Sequence, residues 1–292
     1  MSFENIIGNQ QIQQLLIHSV NTSNLLHSYL FVGIEGIGKC LFAQEFAKLI
    51  LNSTQDILQH PDFMLIEPED GKSIKIEQIR YLQEKIAEKP IMSNKKVYII
   101  NDSDNMTTEA QNCLLKTLEE PPEYAIMILV LSNENKLLTT IKSRCTKIVF
   151  HPLAQEEIKQ YFSLQQLEVP NSTMLKVCNG SIGKAIQMQE EILQYEKIDH
   201  IFQHIEQEDM IDIWNHSEVL YGAKDTIHHL LEYINILLLD KLKESNDLRY
   251  ANCINVIEQT KKRLSTNANY DMCIDHLLLK IWEEFHEEYR WN

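Results

Sequence analysis

Along the first half of the chain, short unbroken apolar runs alternate with stretches of helical spacing. Ser28–Val32 is such a run closed by glycine, and Phe63–Ile66, Val97–Ile100 and Ala125–Leu131 repeat the pattern. Short apolar runs bounded by turn formers are expected of strands buried on both faces. Between them, Lys39–Leu51 sets Leu41, Phe42, Phe46 and Ile50 at helical spacing, and Ile76–Ala87 puts Ile79, Leu82 and Ile86 on one face. Thr107–Glu119 reads as a helix stopped by Pro121 and Pro122, which cannot continue the backbone ladder. Lys147–Phe150 closes the series as a last strand. Strands alternating with helices predict an α/β fold with a mostly parallel sheet and helices on both sides.

From Pro152 onward the strand signals end. Ala154–Leu167, Asn171–Val177 and Ala185–Tyr195 read as helices, with a turn at Asn179-Gly180-Ser181. Beyond about residue 200 the pattern is helical with long apolar faces, as in Ile227–Leu242 and Met272–Phe285. The expected division is 1–151, 152–200 and 201–292, the last two helical.

With 292 residues, 44% hydrophobic and 24% charged, the chain suits a globular protein of two or three domains. Cysteines at 40, 113, 145, 178, 253 and 273 form no Cys-x-x-Cys pair, so reduced thiols are expected rather than a disulfide framework or a zinc knuckle. The opening Met1–Asn5 carries no basic segment leading into an apolar run and reads as no signal peptide. No stretch reaches the apolar length of a membrane helix. The expected location is the cytoplasm.

Net charge is −15 and uneven: residues 1–150 carry 14 basic and 18 acidic side chains, the remainder 13 and 24. A phosphate backbone is gripped by Lys and Arg, and no basic run is present. The acidic second half points to solubility or protein partners rather than a main DNA-gripping surface.

The first strand runs into Gly33-Ile34-Glu35-Gly36-Ile37-Gly38-Lys39-Cys40. This is a phosphate loop, Gly-x-x-x-x-Gly-Lys, with Cys where Ser or Thr would bind Mg²⁺. Backbone N–H groups freed by Gly33, Gly36 and Gly38 surround phosphate oxygens, and Lys39 reaches the terminal phosphates. A thiol at Cys40 is a poor ligand for a hard cation that prefers oxygen. The acidic motif expected at the end of the third strand reads Asn101-Asp102. Asn101 brings no charge to a metal, and Asp102 stands one methylene short of a water-orienting Glu. Both metal-holding groups are therefore altered, while the groups that bind nucleotide remain.

Three further strings carry a family resemblance: Leu26-His27-Ser28-Tyr29-Leu30-Phe31 before the loop, Asn112-Cys113-Leu114-Leu115-Lys116-Thr117-Leu118-Glu119-Glu120-Pro121-Pro122 after the third strand, and Thr140-Ile141-Lys142-Ser143-Arg144-Cys145 before the last strand. In this order, dense over residues 5–185, they resemble the AAA+ subunits of the bacterial DNA polymerase III clamp loader, of delta-prime and gamma/tau type. The resemblance implies a P-loop AAA+ domain over 1–151, a helical lid over 152–200 and an oligomerising helical collar over 201–292. It implies a place in the polymerase holoenzyme beside gamma/tau and delta subunits, with the sliding clamp and primer-template DNA as indirect partners and no membrane.

In that family Arg144, within the Ser143-Arg144-Cys145 motif, would reach across an interface to a neighbour's γ-phosphate. On its own an arginine there would pair with a local carboxylate. Asn133 falls at the γ-phosphate-sensing position, and Lys184, in Ser181-Ile182-Gly183-Lys184, at a nucleotide-contacting position of the lid. Lys184 reads equally as a solvated lysine at a helix start. Many relatives bind zinc just after the P-loop helix; residues 52–60 hold no cysteine and His60 stands alone, so no metal is expected. The resulting expectation is a structural and regulatory subunit without intrinsic ATPase, needing no cofactor and left able to bind ATP without hydrolysis. The alternative is an active gamma/tau-like ATPase in which Asp102 or Asp104 replaces the missing carboxylate. A small-molecule P-loop kinase is disfavoured, since it would lack these strings.

Overall fold

A computed structural model describes residues 3, 6–69, 71–206, 209–266 and 268–286, without the side chains of Asp212 and His216. Of the opening stretch Met1–Asn5 only Phe3 is among them, and residues 287–292 of the last expected domain lie outside. The chain separates into two compact units, Met1–Gln165 with Gly180–Gly183, and Gln166–Asn179 with Lys184–Asn292.

The first unit begins with helix α1 (Gln10–Asn21), which the apolar pattern had not singled out. Then follow β1 (Ser28–Val32), α2 (Lys39–Leu51), β2 (Phe63–Ile66), α3 (Ile76–Ala87), β3 (Lys96–Ile100), α4 (Thr108–Glu119), β4 (Ala125–Leu131), α5 (Thr139–Lys142), β5 (Thr146–Val149) and α6 (Gln155–Leu164). The five strands form one parallel sheet in the order β2-β3-β4-β1-β5. β1, β3 and β4 are buried along their whole length. Alternate residues feed two cores, as a two-residue period requires. Leu30, Val32, Tyr98, Ile100, Met127 and Leu129 pack with Ile79, Leu82, Leu114 and Leu118 of α3 and α4. Tyr29, Phe31, Val97, Ile99, Ile126 and Ile128 pack on the other side with Phe42, Phe46 and Leu16.

Two strand bounds differ from expectation, one of them because a polar residue is buried. β3 starts at Lys96, which is only 4% exposed and donates to the carbonyls of Lys85 and Glu88 at 3.0 and 3.2 Å. β5 is Thr146–Val149 rather than 147–150, although the Phe150 N–H still bonds Val32 O at 2.7 Å. Helix starts shift by one residue because Thr107 and Asn171 are caps: their side chains accept the Ala110 and Met174 N–H groups.

The second unit is helical: α7 (Ser172–Val177), the rest of α8 (Ile182–Glu190), α9 (Ile192–His204), α10 (Met210–His216), α11 (Glu218–Gly222), α12 (Ile227–Ser245), α13 (Leu248–Leu264) and α14 (Tyr270–Phe285). The single helix expected over 185–195 is two helices, broken at Glu191 (φ −100°, ψ 20°). Buried Ala185, Met188, Tyr195 and Ile198 keep helical spacing across the break, so the pattern hides it. α13 packs between α12 and α14, with Leu230, Ile234, Cys253, Ile257, Ile274 and Leu277 buried. α7 is tied to α12 by Asn171 Nδ2 donating to the Tyr233 hydroxyl at 3.1 Å.

Candidate functional site

In a parallel sheet the residues just past the carboxyl ends of neighbouring strands share one edge, and ligands bind there. Here that edge carries Gly33–Gly38 after β1, Glu67 after β2, Asn101–Asp104 after β3 and Ser132-Asn133 after β4. The loop needs its glycines. Gly38 (φ +88°) starts α2 from a left-handed conformation, and Gly36 (φ +74°) could not take a Cβ without meeting Ser181 Oγ at 2.3 Å.

Lys39 is turned back onto its own loop. Its ammonium donates to Gly33 O at 2.8 Å, Ile34 O at 2.7 Å and Ser132 Oγ at 3.1 Å, and the residue is 6% exposed. Burial pulls its pKa below the ordinary lysine value, against the opposing pull of Asp102, Asp104 and Glu35. The Gly36 carbonyl is taken by the Gly183 N–H at 2.8 Å, so the turn that opens α8 lies against the loop.

Cys40 is a neutral thiol. Burial, then the carboxylates of Glu67 and Asp102, push its pKa up to about 12. Its sulfur receives the Gln44 amide at 3.7 Å. Asn101 donates from Nδ2 to Glu67 Oε1 at 3.0 Å and to Asp102 Oδ2 at 3.4 Å. Asp102 sits in a left-handed conformation (φ +51°). Burial first, then Asp104, Glu35 and Glu67, raise its carboxyl above the usual range. Asp104 Oδ2 accepts the Asn133 N–H at 3.1 Å, while Asn133 Oδ1 caps its own turn by accepting Asn135 N–H at 3.1 Å. The structure thus brings Lys39, Cys40, Asn101 and Asp102 together, with Asn133 linked through Asp104.

Two expected site residues, Lys184 in the second unit and Arg144 in the first, have carboxylate partners of their own. Lys184 pairs with Glu232 of α12 at 2.7 Å. Arg144 precedes β5, at the edge where strands enter. From Ser28 to Gly33 the chain crosses the sheet in about 16 Å at ~3.3 Å per strand residue. The Ser28 hydroxyl donates to the Arg144 carbonyl at 2.7 Å and the Arg144 N–H bonds Ile141 O at 3.0 Å, which fixes the backbone. The guanidinium donates to Thr140 O at 2.8 Å and to Glu119 Oε1 at 2.6 Å. The local carboxylate partner weighed for a lone arginine is therefore present. Ser143 Oγ donates to Thr140 O, and burial pushes the Cys145 thiol up to about 11.

Among the residues of these networks that were not marked as site residues from the sequence are Glu67, Ser132 and Glu119. Glu67 and Ser132 each directly follow a strand, β2 and β4, the position where polar residues reach the ligand edge. Glu119 lay within the Leu-Glu-Glu-Pro-Pro string but had no assigned partner. His60, in the segment compared with zinc-binding relatives, accepts the Asp62 N–H at its Nδ1, 3.1 Å away.

The 2-3-4-1-5 parallel sheet with a glycine-rich phosphate loop leaving β1 defines a P-loop AAA+ module. A gamma-subunit-related DNA polymerase III protein from Thermotoga maritima shares the fold, with TM-score 0.56 and 19% identity over 92% of this chain and 99% of that one. A RuvB variant from the same organism does so at TM-score 0.50 and 13% identity, over 97% of this chain and 88% of that one. Among curated relatives, the DNA polymerase III subunit delta' of Bacillus subtilis (strain 168) is 29% identical, covering 94% of this chain and 96% of its own length. The tau/gamma subunit of Haemophilus influenzae is 30% identical over 66% of this chain, which spans 31% of that longer protein. The family described as DNA polymerase III, delta subunit, matches residues 8–154. The chain belongs to this family, among the AAA+ clamp-loader subunits. No helix among the described residues is long and apolar enough to cross a membrane.

Proposed function

We propose that this chain is a delta-prime-type subunit of the bacterial DNA polymerase III clamp loader that does not hydrolyse ATP and lends Arg144 to a neighbouring subunit's ATP site. The observation that carries the first half is the metal pocket. A neutral Cys40 thiol and an Asn101 amide stand where a hydroxyl and a carboxylate would hold Mg²⁺, and neither suits that ion. ATP binding without hydrolysis remains open to the loop, and no zinc or other cofactor is required.

The second half rests on position. Arg144 lies at the opposite sheet edge from this chain's own phosphate loop, so its guanidinium suits a phosphate on another subunit. A guanidinium supplied in trans stabilises charge spreading over phosphoryl oxygens and is worth ~10³–10⁵ in rate in other phosphoryl-transfer systems. Gamma/tau subunits supply that ATP site in our reading, with delta alongside and the sliding clamp and primer-template DNA as indirect partners, in the cytoplasm. We assign residues 152–200 the role of lid and 201–292 that of oligomerising collar.

The test is Mg²⁺-dependent ATP hydrolysis by the purified chain alone. No turnover above that of Lys39→Ala is expected. Clear turnover abolished by Lys39→Ala would instead support a gamma/tau-like ATPase, a reading favoured by Asp102 and Asp104 lying close enough to Lys39 to act on its charge.

A further inference from the structure

The Arg144 guanidinium is held by its own chain. It donates to the Thr140 carbonyl and to Glu119, the last residue of α4. A carboxylate at a helix C-terminus is unfavourable, because the unpaired carbonyls there already carry negative partial charge. The Arg144 cation offsets that repulsion, which gives the pair a reason to form. Glu119 also neutralises the charge that a phosphate would seek. The backbone of Arg144 is pinned by Ser28 and Ile141, so only the side chain is left to move. Both partners are partly solvated, with side chains 33% and 50% exposed.

We infer that Glu119 is a positioning residue, a latch that keeps Arg144 retracted until a neighbour's triphosphate competes for it. The inference rests on Arg144 being a trans-acting finger. Partly exposed ion pairs are weak, corresponding to at most about a fivefold bias in a two-state equilibrium. The charge that builds on a phosphoryl group during transfer, in a water-excluded interface, offers stronger charge-assisted bonds and draws the guanidinium off the carboxylate, so breaking the pair adds to the barrier rather than to the binding of ATP. The latch therefore sets the fraction of fingers available and leaves the fold alone.

The experiment uses the complex reconstituted with the cognate gamma/tau ATPase and measures kcat and KM for ATP. Four forms of this chain are compared: wild type, Glu119→Gln, Arg144→Ala and the double variant. The inference expects Glu119→Gln to raise kcat by up to about fivefold with KM within about twofold of wild type. It also expects the substitution to change nothing in the Arg144→Ala background. If Arg144→Ala slows turnover but Glu119→Gln leaves kcat unchanged or lowers it, the latch is refuted and the finger stands. An effect of Glu119→Gln that persists without Arg144 marks a merely structural role and also overturns the latch. If Arg144→Ala itself has no effect, the finger assignment fails, and the latch with it.

Discussion

Replacing Lys39 by methionine tests whether the phosphate-loop lysine is part of the fold. A lysine that serves only nucleotide would be dispensable for stability in nucleotide-free buffer. Here it satisfies two partly buried loop carbonyls and Ser132, and faces Asp102, Asp104 and Glu35. A buried acceptor left without a donor costs about 1–3 kcal/mol. Two carbonyls give at most roughly 2–6 kcal/mol, reduced by their partial solvation and by the relief of no longer burying an ammonium. We expect a net loss of about 2–3 kcal/mol, and a Tm lowered by roughly 4–12 °C in a unit of this size. The assay is thermal unfolding of the purified chain by circular dichroism, without nucleotide or Mg²⁺. A Tm equal to wild type within error would refute the view that Lys39 braces its own loop.

Asp62 is 1% exposed and accepts the N–H groups of Ile91, Met92 and Ser93 at 2.6, 2.8 and 2.8 Å. Burial opposes ionisation there, but those bonds outweigh it and hold the carboxyl below its ordinary range. Its stabilisation is present above the unfolded-state carboxylate pKa and is lost as pH falls through the folded one, so Asp62→Asn should cost about 2–4 kcal/mol at pH 7 and progressively less in acid; an equal cost at every pH in urea titrations would contradict this. Asp102 has the opposite sign: a raised carboxyl pKa makes the ionised form destabilising at neutral pH, a cost that disappears as pH falls through the folded value. Asp102→Asn, which tolerates the left-handed backbone, should therefore raise Tm at pH 7 and not in acid; a lowered Tm at pH 7 would count against it. Gly36→Ala must fit a Cβ where Ser181 Oγ lies 2.3 Å away, at φ +74°, and should cost ~1–3 kcal/mol in denaturant unfolding; an unchanged midpoint would show that the 181–183 turn yields freely.

The sheet was legible because β1, β3 and β4 are buried on both faces and so carry almost no polar residue to blur the run. Legibility failed where burial and polarity part company. Lys96 looks like a strand boundary yet lies inside β3, because its ammonium finds two carbonyls at the end of α3. The break at Glu191 is silent because apolar spacing continues through it. In the site, Cys40 and Asn101 stood out by departing from a fixed spacing, whereas the partners of Lys39 and Arg144 did not. Ser132 and Glu119 meet them across gaps of 93 and 25 residues. No local pattern encodes such pairings; the sheet order creates them.

Arg144 and Glu67 mark opposite ends of the same sheet, and this separation is what makes a role on a second subunit the natural reading of the arginine. The most direct test is ATP turnover by the cognate gamma/tau subunit assembled with this chain, comparing wild type with Arg144→Ala at matched assembly and thermal stability. The account predicts that turnover falls toward the level of gamma/tau alone. Turnover equal to that of the wild-type assembly would contradict it.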